Sequence, residues 1–163
     1  MIRVFRISTF TSLMLLTALL FQATIPSGVA QAQKTRAGSG DGDSPLFHEY
    51  RSVQIGMTTE EVRKKLNNPS DKSDEQDFFI FSDNESAQVF YDKSHKVFAI
   101  SVNFLSDARD LPTAKAVFGA DIAPKPDGSI YKMVRYPKAG CWVSFSRTAG
   151  DSPLTTVTVQ KIE

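Results

Sequence analysis

Between Gly56 and Pro69 the chain carries every signal needed to start, face and stop one short helix, and the residues beyond Pro69 read as strands. Thr58 is placed to cap the helix, Glu61 three residues on completes a capping box, and Met57 can close against Val62 as a hydrophobic staple. Gly56 permits the sharp entry. Val62 and Leu66 share one side, Arg63, Lys64 and Lys65 point toward water, and Asn67-Asn68-Pro69 ends the helix after about two turns.

Three aromatic or β-branched runs, at 78–81, 87–91 and 97–104, predict an antiparallel meander. If Asp92 pairs with Lys96 across Lys93-Ser94-His95, alternation puts Phe90, Phe98, Ile100, Val102 and Phe104 on the buried face and Val89, Tyr91, Val97 and Ala99 on the other. A weaker copy of this order starts at Asp110, a candidate cap. Leu111, Ala114 and Phe118 come next at helical spacing, Gly119 is the stop, and strand-like runs lie at 129–136, 141–146 and 154–162. The expected fold class is α+β: two helix-plus-antiparallel-strand repeats, 45–104 and 105–163, forming one mainly antiparallel sheet of about six strands with the short helices on one face.

The N-terminus bounds the compartment. Arg3 and Arg6 precede an apolar run at 13–21, with Pro26, Gly28 and Ala30-Gln31-Ala32 after it, which is the pattern of a secretory signal peptide over 1–32 cleaved after Ala32. Thr17, Gln22, Thr24 and Pro26 interrupt the roughly 20 apolar residues a membrane span requires, so no stable membrane insertion is expected after cleavage. Residues 33–44, rich in Gly, Ser and charge, read as a flexible linker. The expected address is exported, periplasmic or extracellular.

With 19 basic against 18 acidic residues, interspersed, the chain lacks the basic stripe that nucleic-acid binding needs. Cys141 is the only cysteine, so no intrachain disulfide can form, and beside Trp142 in a strand-like run it is expected to be a small buried thiol. His48 and His95 are the only histidines and neither has a partner at metal-ligand spacing. The acidic segment Asp71, Asp74, Glu75, Asp77 lacks the Gly and terminal Glu of a calcium loop and reads as a solvated loop, and Asn84-Glu85-Ser86 as a turn between strands. No cofactor, no metal and no catalytic residue set is expected.

The hairpin 129–146 carries the best functional hint. If residues 137–140 form a four-residue loop, Tyr136 faces Cys141 and Arg135 faces Trp142. One side then carries Ile130, Val134, Val143 and Phe145 as core, with Lys132 reaching out at an edge, and the other carries Tyr131, Met133, Arg135 and Trp142. Trp, Tyr, Met and Arg are the types enriched at protein interfaces, so these four are the expected partner-binding residues. The contact surface would extend to the loops 71–76 and 148–153. A competing arrangement packs Trp142 under the helix around Ala114 and Phe118.

The run Ile55-Gly56-Met57-Thr58-Thr59-Glu60-Glu61-Val62 with Leu66 and Pro69, then Val89-Phe90-Tyr91-Asp92 and Lys96-Val97, resembles the SmpA/OmlA (BamE-like) domain over residues 53–104. Two such units in tandem also resemble the β-lactamase inhibitory protein fold. The resemblance implies a non-enzymatic protein of the bacterial cell envelope that binds another envelope or secreted protein, as an assembly accessory or an inhibitor-like module. Gln33 stands after Ala32 where the assembly-type family members usually have a lipidated Cys, Asn67 stands where they have Gly, and Lys93-Ser94-His95 replaces a Gly-containing turn. The alternative function is a carrier of a small apolar ligand or lipid held between helices and sheet by some of the twelve Phe.

Overall fold

A computed structural model describes residues 44–162. The expected signal peptide, 1–32, and the linker up to residue 43 lie outside the described residues. The chain runs β1 (Glu49–Tyr50), β2 (Val53–Gln54), α1 (Thr59–Leu66), β3 (Asp71–Lys72), β4 (Gln76–Ser82), β5 (Glu85–Tyr91), β6 (Val97–Phe104), α2 (Ala114–Phe118), β7 (Ile130–Tyr136), β8 (Cys141–Arg147) and β9 (Thr155–Lys161). Seven strands form one antiparallel sheet in the order β3-β4-β5-β6-β9-β8-β7, and β1 with β2 makes a separate two-stranded ribbon. The meanders β4-β5-β6 and β7-β8-β9 meet where β6 pairs with β9, Val102 opposite Val157.

This corrects the expected α+β class. The molecule is mostly β, its sheet has seven strands, and helices of eight and five residues do not form a layer on a sheet face. The physical reason is local. In α1 the capping box forms as expected, Thr58 Oγ1 accepting from the Glu61 N–H at 3.3 Å and the Glu61 carboxylate accepting from the Thr58 N–H at 2.8 Å, and Asn67 at φ 67°, ψ −166° ends the helix after the expected two turns, too short for a layer. In α2 the cap is Thr113 rather than Asp110, so Leu111 lies outside the helix, and Gly119 at φ 77° closes it one turn later. The helices supply Val62, Leu66, Ala114 and Val117 to the core, while Phe79, Val89, Ile100, Val102, Val143, Phe145, Val157 and Val159 on the strands make up its bulk.

The face assignment in the first meander is also corrected. Asp92 does bond Lys96, its N–H donating to the Lys96 carbonyl at 2.8 Å. The register then slips: Tyr91 pairs with Val97 but Phe90 pairs with Ala99, so Phe98 is the extra residue of a β-bulge. One inserted residue reverses the parity of everything before it. Phe90 and Phe98 therefore sit on the outer face with their rings 6.1 Å apart, and Val89, Tyr91 and Val97 join Ile100, Val102 and Phe104 in the core. Among the described residues no helix is long and apolar enough to cross a membrane.

Candidate functional site

Because side chains alternate along each strand, the outer face of the sheet can be read row by row from the pairing. The row nearest the β5–β6 turn runs Gln76, Phe90, Ala99, Gln160, Trp142, Arg135; the middle row Phe78, Gln88, Ser101, Thr158, Ser144, Met133; the far row Ile80, Ser86, Asn103, Thr156, Ser146, Tyr131. Tyr131, Met133, Arg135 and Trp142 thus share this face, and Arg135 lies directly opposite Trp142 and Tyr136 opposite Cys141, as the hairpin geometry requires. The turn between them is a single 3₁₀ turn, Pro137–Ala139, closed by Gly140 at φ 66°. Trp142 lies on the face away from the core residue Val117, not beneath α2.

Outside the row nearest the β5–β6 turn, the apolar side chains of this face gather at its two sides. Tyr131 and Met133 on β7 are 55% and 46% exposed, and Ile80 on β4, at the opposite side, is 59% exposed. Between them runs a hydroxyl and amide stripe in which two pairs bond from β6 to β9: Ser101 Oγ lies 3.0 Å from Thr158 Oγ1, and Thr156 Oγ1 donates to Asn103 Oδ1 at 2.8 Å. These four bonded side chains at the centre can be covered at lower desolvation cost, while Ile80, Phe78, Met133 and Tyr131 offer apolar area. The Lys125 ammonium sits 5.8 Å from the Tyr131 ring centre and adds a cation at that side.

A cleft opens at each end of the strands. The larger, about 840 Å³, is lined by Phe90, Phe98 and Gln160, with Asp74, Glu75 and Asp92 as carboxylates and Lys93, His95 and Lys161 as cationic or titratable groups. The Asp92 carboxyl is held below its usual range by backbone bonds from Lys96 and Ser94, which also lock the turn. The smaller, about 460 Å³, lies past Ile80, Asn103, Leu105 and Leu154. Of the loops expected to flank the surface, 71–76 borders the larger cleft through Asp74, Glu75 and Gln76, and its first two residues form β3.

Two polar clusters were not expected from the sequence. Asp77 is a buried strand residue, fully enclosed and not part of a solvated loop; it accepts from Arg63 Nε at 2.9 Å and Nη2 at 2.8 Å and from the Tyr91 hydroxyl at 2.7 Å. Arg63, expected to face water, instead folds back along α1 onto that carboxylate and the Ser73 carbonyl. At the ribbon, Arg51 lies 4.2 Å from the Phe81 ring centre and pairs with Glu85, which also accepts from the Tyr50 hydroxyl. Burial, reinforced by the carboxylate each one bonds, pushes Tyr50 and Tyr91 far above the ordinary tyrosine range. Every buried side-chain nitrogen and oxygen among the described residues has a partner, which marks both clusters as internal ties.

The remaining reactive side chains lie apart from each other on the chain and in burial. Cys141 is buried and burial pushes its thiol up, so it stays protonated at neutral pH. His48 and His95 are exposed. Among the described residues no group of three or more His, Cys, Asp or Glu is arranged to hold a metal ion. No family model, no curated protein and no solved structure matches this chain.

Proposed function

We propose that this chain is an exported, non-enzymatic protein-binding module of the bacterial cell envelope, and that it recognises another envelope or secreted protein with the outer face of its sheet. The observation that carries the reading is the gathering of Tyr131, Met133, Arg135 and Trp142 on one exposed face, with Phe78 and Ile80 across a polar stripe. Aromatic and Arg anchors beside satisfied polar groups are the composition of a recognition surface. The BamE-like motif at 55–69 and the signal-peptide pattern at 1–32 support an assembly-accessory or inhibitor-like role in the same compartment. The clefts lined by Phe90 and Phe98 and by Ile80 and Leu105 open on that face rather than between helix and sheet, which favours a protein partner over a small apolar ligand.

The test is photo-crosslinking in the native envelope from a reactive side chain placed at Ser144, in the middle of the face. A discrete crosslinked protein is expected, and the yield should fall at least tenfold in the Trp142→Ala, Arg135→Ala double variant, a loss of about 1.4 kcal/mol or more of binding. An unchanged yield in a folded double variant rejects this surface.

A further inference from the structure

We propose that two copies of this chain join edge to edge through β7, antiparallel, about a two-fold axis at Met133, so that a single sheet runs through both. The strand is the end of the sheet order and pairs only with β8. Its seven residues, Ile130–Tyr136, run with no register shift and contain neither Pro nor Gly, and among the described residues no backbone bond outside the sheet involves them. An uninterrupted open edge of this length is a template for another strand.

The occupant is a second copy because β7 is complementary to itself in one register. Met133 is the midpoint of the strand, so pairing about it overlaps all seven residues. Arg135 then lies opposite the Tyr131 of the second copy, twice by symmetry, and Met133 opposite Met133. A cation beside an exposed ring and two thioethers at the axis are favourable cross-strand neighbours on the outer face. On the core-facing side Lys132 meets Val134, and its ammonium is already drawn to the Phe118 ring, 5.3 Å away. Lys132 also discriminates. Centring the pair one residue earlier sets Lys132 against Lys132, and centring it one later shortens the overlap to five residues and brings Pro137, which has no N–H to give, into the ladder.

Both outer faces end up on the same side of the joined sheet, but the pairing does not depend on what that face binds. Its test is sedimentation velocity on the protein expressed with its own N-terminus and purified, which should show twice the single-chain mass. Met133→Lys, which sets two ammonium groups against each other at the axis, should reduce it to one chain, whereas Ser144→Lys, on the same face but one strand in, should leave the pair intact. Met133→Cys should give a disulfide-linked pair on oxidation, because directly opposed Cβ atoms lie about 4.5–5.5 Å apart, and Tyr131→Cys should not. A single-chain mass for the unaltered protein, a pair that survives Met133→Lys, or equal crosslinking through Tyr131→Cys overturns the proposal.

Discussion

Among single residues, Asp77 shows how far one side chain can tie separate elements together. It joins α1 through Arg63, β5 through Tyr91 and the loop before β4 through the Arg63 bond to Ser73. Asp77→Ala strands the Tyr91 hydroxyl in the core, while Arg63, one-third exposed, can turn to water. The expected cost is therefore about 2–4 kcal/mol, below that of breaking a fully buried pair, read as a lowered urea midpoint. Tyr50 and Tyr91 give a pH signature. Their folded-state pKa lies above the unfolded value of 10.0, so the stability they contribute is complete below pH 10.0 and is lost as pH rises beyond it. Denaturant unfolding across that range should show a decline that is smaller in Tyr91→Phe. Asp77 was legible in principle: it shares parity with Phe79, so extending the strand one residue back would have put it inside. The run of acidic residues from Asp71 disguised it, because composition reports solvent preference and not the partner waiting on α1.

Among the elements, both ends of α1 and the Gly119 stop of α2 are where sequence and structure agree most closely, since capping is chemistry between near neighbours. Thr58→Ala removes the acceptor for the Glu61 N–H and should cost about 1 kcal/mol. Gly119→Ala should cost about 1 kcal/mol too, from the left-handed backbone at φ 77° and not from crowding, because an added Cβ meets only Leu46 Cδ1 at 3.5 Å. Both are read from thermal or urea unfolding, and a steep loss in Gly119→Ala would mean that Leu46 cannot give way. The bulge at Phe98 was illegible for the complementary reason. Val97 to Ile100, where the extra residue sits, is apolar on both parities, so alternation alone cannot reveal it. β1, β2 and β3 were hidden for another reason: each is only two residues long, too short for alternation to register, although each pairs with a near neighbour in the chain.

For the molecule as a whole, the joint between the two meanders decides cooperativity. Six residue pairs link β6 to β9, with Ile100 opposite Val159 and Val102 opposite Val157 inside one continuous core. Urea unfolding detected by tryptophan fluorescence, which sees only Trp142 on β8, and by circular dichroism, which sees all strands, should therefore coincide in one transition. Separated transitions would show that the halves fold independently. The six longer strands were readable from β-branched and aromatic runs, as was the two-turn length of α1, yet the balance between helix and sheet was not, because α2 starts only at Thr113 and has five residues. The outer face was readable where a tight turn fixes register, as between Arg135 and Trp142, and unreadable where pairing is set by distant strands, as for Phe78 and Ile80.

If recognition is carried by that outer face, the decisive quantity is the affinity of the protein crosslinked from Ser144 for three chains: the unaltered one, Trp142→Ala with Arg135→Ala, and Arg51→Ala, whose side chain belongs to the β1–β2 ribbon and its tie to Glu85. A loss of tenfold or more in the double variant, with little change in Arg51→Ala, is expected. Equal affinity for all three, or a loss confined to Arg51→Ala, would move recognition off the outer face.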